Sequence, residues 1–119
     1  MNEREQLYAE KLSKMIQCET VSVKDVPNKE KFDHFHEVLR DLFPNVFTRG
    51  EVVEIDSSLL IRIKGKGKGE PILLMSHQDV VAAEGEWEHK PFSGDIDSDE
   101  NIWGRGTVDT KGSLFCIFQ

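Results

Sequence analysis

One short segment constrains this chain more than any other: the uninterrupted apolar run Pro71-Ile72-Leu73-Leu74-Met75, which leads into the polar Ser76-His77-Gln78-Asp79. Four consecutive large apolar residues cannot place one face in water and the other in a core, so the run predicts a central strand covered on both sides. A strand of that kind needs a layer of structure above and below it. The flanking sequence offers such layers. Leu7, Tyr8, Leu12, Met15 and Ile16 gather on one face of a helix from about Asn2 to Gln17. Asn28 is a plausible N-cap for a second helix marked by Phe32, Phe35, Leu39, Leu42 and Phe43, which stops before Pro44. The period then changes from 3.6 to 2. Val46 to Ile55 is rich in β-favouring residues, and Leu59, Ile61 and Ile63 alternate with Leu60, Arg62 and Lys64, as in paired strands. Residues 64–71 read as a hairpin-like turn, 80–104 as a long ordered loop anchored by Trp87, Phe92, Ile96 and Trp103, and Thr110–Gln119 as the start of a closing helix. The fold class expected is α/β, a mixed β-sheet flanked by helices.

Charge narrows the function. With 15 basic and 22 acidic residues the chain carries −7, which argues against nucleic acid or an anionic membrane as a partner held by bulk attraction. Eight acidic residues between Glu84 and Asp109, against only Lys90 and Arg105, account for −6 of that total. The N-terminal segment lacks the apolar stretch of a signal peptide, and no run approaches the roughly 20 residues needed to span a bilayer. Cys18 and Cys116 lie far apart with no CxxC spacing, which suggests two buried thiols in a reducing cytoplasm.

Several near-motifs fail on chemistry. His36-Glu37 begins like a zinc-binding HExxH, but Arg40 stands where the second histidine belongs. His34 and His36, two apart on a helix, face different ways and read as surface residues. Asp95, Asp97 and Asp99 imitate a calcium loop whose turn glycine is replaced by Glu100; a calcium-stabilised acidic loop is a minor alternative. Gly65, Gly67 and Gly69 precede a strand and not a helix, so they make no phosphate cradle, and residues 106–113 have the lysine and glycine of a phosphate loop interchanged.

The constellation left is His77-Gln78-Asp79 at the end of the apolar strand, together with Asp109 in Gly104-Arg105-Gly106-Thr107-Val108-Asp109-Thr110-Lys111-Gly112. Ligands collect at the carboxyl ends of strands in α/β sheets, and residues two apart on a strand share a face. An imidazole there can bind zinc while a neighbouring carboxylate fixes its tautomer, and Asp109 can add an oxygen ligand.

Three blocks in order, Leu73 to Val81, Trp87 with Pro91-Phe92-Ser93-Gly94, and Ile102 to Gly112, resemble the dizinc peptidase family of aminoacylase, carboxypeptidase S, acetylornithine deacetylase and succinyl-diaminopimelate desuccinylase. Thr20-Val21-Ser22 is similar to the family's start, and the carboxypeptidase S branch is the nearest in pattern. The resemblance implies that His77 is a ligand of one zinc, that Asp79 is the catalytic residue orienting it, and that Asp109 bridges two zinc ions, with Co2+ or Mn2+ as substitutes. It implies a cis Asp109-Thr110 peptide. It also implies a metal-dependent hydrolase that cleaves an amide bond in dipeptides or N-acyl amino acids through a zinc-bridged hydroxide. The family's general base is one of an adjacent glutamate pair, and no Glu-Glu occurs in this sequence.

Residues 1–119 are therefore expected to form the N-terminal part of a catalytic domain, truncated before the remaining ligands and before the lid domain through which a parent enzyme would dimerise. The fragment by itself is expected to be inactive. The competing reading is a non-catalytic remnant or binding module with at most a partial metal site.

Overall fold

Asn2 starts the first helix by a reciprocal cap: its side chain accepts from the Glu5 amide at 3.0 Å and its own amide donates to the Glu5 carboxylate at 2.8 Å. In the computed structural model, which describes residues 1–119, this helix, α1, covers Glu3–Ile16, and α2 covers Lys29–Leu42, both close to the sequence expectation. Asn28 precedes α2 but does not cap it; its side-chain amide donates to the Val21 carbonyl instead, at 2.7 Å. The two helices bury Met15, Cys18, Phe35, Leu39 and Phe43 in one core with Leu114 from the final helix, α4 (Gly112–Phe118). Phe43 meets Phe118 edge to face at 5.5 Å. No helix is long and apolar enough to cross a membrane.

Two expectations for the middle of the chain are corrected. Residues 44–49 form a short helix, α3 (Pro44–Arg49), and not the first half of a strand. Pro44 sits at its first turn, where a fixed φ favours helix and a missing N–H costs nothing, and Val46 and Phe47 pack against the core from there. The strand begins only after Gly50: β1 (Glu51–Ile55) pairs antiparallel with β2 (Ser58–Arg62), Val52 opposite Ile61. Asp56 and Ser57, both at positive φ, make the tight two-residue turn between them.

The apolar run departs further. Residues 72–75 are not in a strand, and Ile72, Leu73, Leu74 and Met75 are 61–86% exposed. A central strand exists only between neighbours that complete its hydrogen bonds, and the sheet of this chain is the β1–β2 hairpin alone. Only the far end of the segment is tied down. Val80 bridges Val21 in parallel, its N–H donating to the Thr20 carbonyl at 2.9 Å and its carbonyl accepting from Ser22 at 3.0 Å. Antiparallel and parallel pairings thus both occur in an α/β chain.

The long loop at 80–104 is ordered by its own contacts, including a bridge between Ile96 and Ile102. It is also stapled to α1, since the buried Ser13 hydroxyl donates to the Gly94 carbonyl at 2.6 Å.

Candidate metal site

His77 stands where the segment from the apolar run meets the loop before α4. Its Nδ1 lies 3.2 Å from the Asp79 carboxylate and 3.0 Å from the Asp79 carbonyl, and its Nε2 lies 2.8 Å from Asp109 Oδ1. The three residues singled out in the sequence are therefore brought together, 32 positions of chain separating His77 from Asp109. Partial desolvation pulls the His77 imidazole down, but the hydrogen bonds to Asp109 and Asp79 and their charges outweigh it and hold the group above its usual range.

Asp109 reaches this position because the chain kinks before α4. Gly106 is left-handed, at φ 91°, and a Cβ there would stand 2.7 Å from Val80 Cγ1. Asp109 and Thr110 have non-helical dihedrals, and the peptide between them is cis. Lys111 anchors the kink from below. It is fully buried, donates to the carbonyls of Met15 at 3.0 Å and Cys18 at 2.6 Å at the end of α1, and lies over the Phe35 ring. A cation at a helix C-terminus meets carbonyls that lack partners in the helix. Burial, opposed by Cys18, lowers its pKa to about 8.

The donor set suits zinc. Asp79 holds Nδ1, so Nε2 is left to face Asp109, and the Asp109 carboxylate is 86% exposed with oxygens open to a cation. The Nδ1 and Nε2 partners lie on opposite sides of the ring. The ring is thus held between the Asp79 and Asp109 carboxylates.

A second group, Asp33, His36 and Glu54, brings its ligand atoms within 4.8 Å of one another. Its atoms are already engaged: Lys29 holds both Asp33 oxygens at 2.8 and 2.6 Å, and His36 spends Nδ1 on Glu54 at 3.1 Å and Nε2 on Gln78 at 2.8 Å. It is a hydrogen-bond network. The expectation of surface histidines is thereby corrected for His36, which is only 1% exposed, buried because Gln78 and Glu54 satisfy both ring nitrogens. Nothing in the HExxR pattern marks it. Cys116 is likewise exposed and not buried, because it lies on the outer side of α4.

The acidic loop spends part of its charge internally. Asp97 accepts from the amides of Asp99 and Asn101, both at 2.9 Å, and from the Trp103 indole at 2.7 Å, and these bonds, that of Asn101 first, lower its pKa to about 2. Asp95 pairs with His89, which stacks on Trp103 at 4.4 Å. Opposite them Arg105 lies over Trp87 at 4.9 Å. Trp87, His89, Trp103 and Arg105 wall a cleft of about 520 Å³ that His77, Asp79 and Asp109 also line.

Comparison with known proteins matches residues 73–119 to Peptidase family M20/M25/M40. The chain is 37% identical over 119 residues to a probable carboxypeptidase S-like 2 of Dictyostelium discoideum, covering 93% of this chain and 23% of that protein. It is 39% identical to the human N-fatty-acyl-amino acid synthase/hydrolase PM20D1, over 92% of this chain and 23% of that one. Against carboxypeptidase S of Saccharomyces cerevisiae the identity is 33%, over 92% and 22%. The chain thus spans under a quarter of the length of these relatives. No solved structure gives a significant match.

Proposed function

We propose, from the match of residues 73–119 to Peptidase family M20/M25/M40 and the likeness to carboxypeptidase S-like relatives, that the chain belongs to that family and that residues 1–119 supply part of the catalytic domain of a metal-dependent hydrolase acting on amide bonds of dipeptides or N-acyl amino acids. The observation that carries the reading is the convergence of His77, Asp79 and Asp109 from two separate segments on one cleft. The relatives' names, carboxypeptidase and N-fatty-acyl-amino acid hydrolase, support the substrate class.

His77 offers as the ligand atom Nε2, which without a metal is hydrogen-bonded to Asp109, and Asp79 holds the ring's other proton on Nδ1. Asp109 offers an exposed carboxylate able to bridge. Zinc bound there would supply polarisation of the amide carbonyl and an acidified water. The chain has no adjacent glutamate pair to move the water's proton to the leaving nitrogen. The reading therefore gives this chain a share of a site completed by further sequence in a parent enzyme, dimeric through a lid domain, and no turnover of its own.

Calorimetric titration of the metal-free chain with Zn2+ tests the ligand assignment. Binding that weakens tenfold or more in His77→Ala and in Asp109→Ala is the expected result. Equal binding by both variants and the unaltered chain would remove the reading.

A further inference from the structure

Gln78 separates His77 from Asp79, and its side chain points the opposite way. There it bridges two elements. Its Nε2 donates to the Ser57 carbonyl in the β1–β2 turn at 2.5 Å, which leaves Oε1 to accept from His36 Nε2 on α2 at 2.8 Å. The amide orientation is fixed by this pairing, because the reverse would set its oxygen against the Ser57 carbonyl. His36 is itself buried and held from its other nitrogen by Glu54 of β1 at 3.1 Å.

This grip matters because the segment has few other ties. Residues 72–75 have no ladder neighbours, and beyond them the chain is tied through the Val80 pairing, the Thr20 hydroxyl, which donates to the Gln78 carbonyl at 2.7 Å, and the Ser76 hydroxyl, which donates to the Thr110 carbonyl at 3.3 Å. Those bonds fix main-chain atoms, whereas the Gln78 amide is the side chain that ties residues 77–79 to α2 and the β1–β2 turn. Gln78 contacts His36 and Ser57 on one side while His77 and Asp79 contact each other on the other, so a clamp on the side chain of residue 78 helps set the direction of its two neighbours.

We propose that His36 and Gln78 are positioning residues for the metal site, a side-chain clamp on the far side of the segment 77–79 that aims His77 and Asp79 at Asp109. The proposal rests on the assignment of His77 and Asp109 above for its metal-binding consequence, but its geometric content does not need a metal.

Two measurements separate these levels. In the metal-free chain, long-range proton–nitrogen spectra of the His77 ring report its bonds to Asp79 and Asp109. His36→Phe and Gln78→Met should move those signals to values of a free, exposed imidazole, while His36→Gln, which keeps a donor toward Gln78, should preserve them. In Zn2+ titrations the first two variants should bind about tenfold more weakly, and His36→Gln within about threefold of the unaltered chain. A lowered urea midpoint with unchanged His77 signals would reduce the pair to a structural role and overturn the proposal. If His36→Phe does not fold, Gln78→Met decides alone, since Gln78 lies outside the core. Loss of the His77 signals without any zinc binding by the unaltered chain would uphold the clamp and sink the metal assignment instead.

Discussion

Lys111 shows how one residue joins core and site. Its ammonium is buried beneath the carboxylate it positions two residues earlier, and the carbonyls of Met15 and Cys18 take its protons. With a pKa lowered from 10.5 to about 8, the folded chain releases this proton at a pH where the unfolded chain still holds it. Stability therefore rises with pH between these two values; below the folded value the cost of the buried charge is at its full, roughly 3 kcal/mol. Urea midpoints should show a gain of about 1 kcal/mol from about pH 7.5 to 9 that is absent in Lys111→Met. The Cys18 thiol, pushed up by burial, acts in the opposite direction, and more so in Lys111→Met, where the lysine charge that partly offsets the rise is gone. Parallel pH curves for the two would mean that Lys111 does not titrate as its burial requires. The neutral amine keeps two N–H groups for the same two carbonyls, so the anchor of the kink survives deprotonation.

At the scale of elements, a helix is readable from its own residues and a central strand is not. The apolar spacing of α1 and α2 was sufficient to bound both within one or two residues, because each buries a face defined within itself. The run at 72–75 carries the strongest strand pattern in the sequence and forms no strand, since a ladder depends on partners elsewhere. The site divides in the same way. His77, Asp79 and Asp109 announce themselves by residue type and spacing, whereas His36 and Lys111 are made important by tertiary neighbours that no local pattern encodes. The kink before α4 depends on Gly106, whose left-handed backbone lets Val80 approach. Gly106→Ala should cost about 1–3 kcal/mol in urea unfolding and loosen zinc binding, because Asp109 follows three residues later. An unchanged midpoint would show that the loop can relax without this glycine.

The whole molecule is a slab, 51 × 43 × 22 Å, with a radius of gyration of 15.4 Å where a compact domain of this length would have about 13.5 Å. Its apolar surplus lines one open cleft of about 1240 Å³, walled by Ile72–Met75, Leu59, Ile61 and Leu114. Bare backbone beside exposed leucines is a template for pairing between copies. Light scattering should find a mass that grows with concentration, and the double substitution Leu73→Lys, Leu74→Glu should suppress that growth. Identical masses for both proteins at every concentration would show the run to be harmless. The smaller cleft beside His77 holds both tryptophans of the chain, Trp87 against Arg105 and Trp103 against His89 and Asp97. Because the core itself contains no indole, intrinsic fluorescence in this protein reports the acidic loop and the cleft beside His77, while circular dichroism reports α1 and α2. Light emitted by the chain is a signal from its site, and unfolding followed by the two probes measures two different structures.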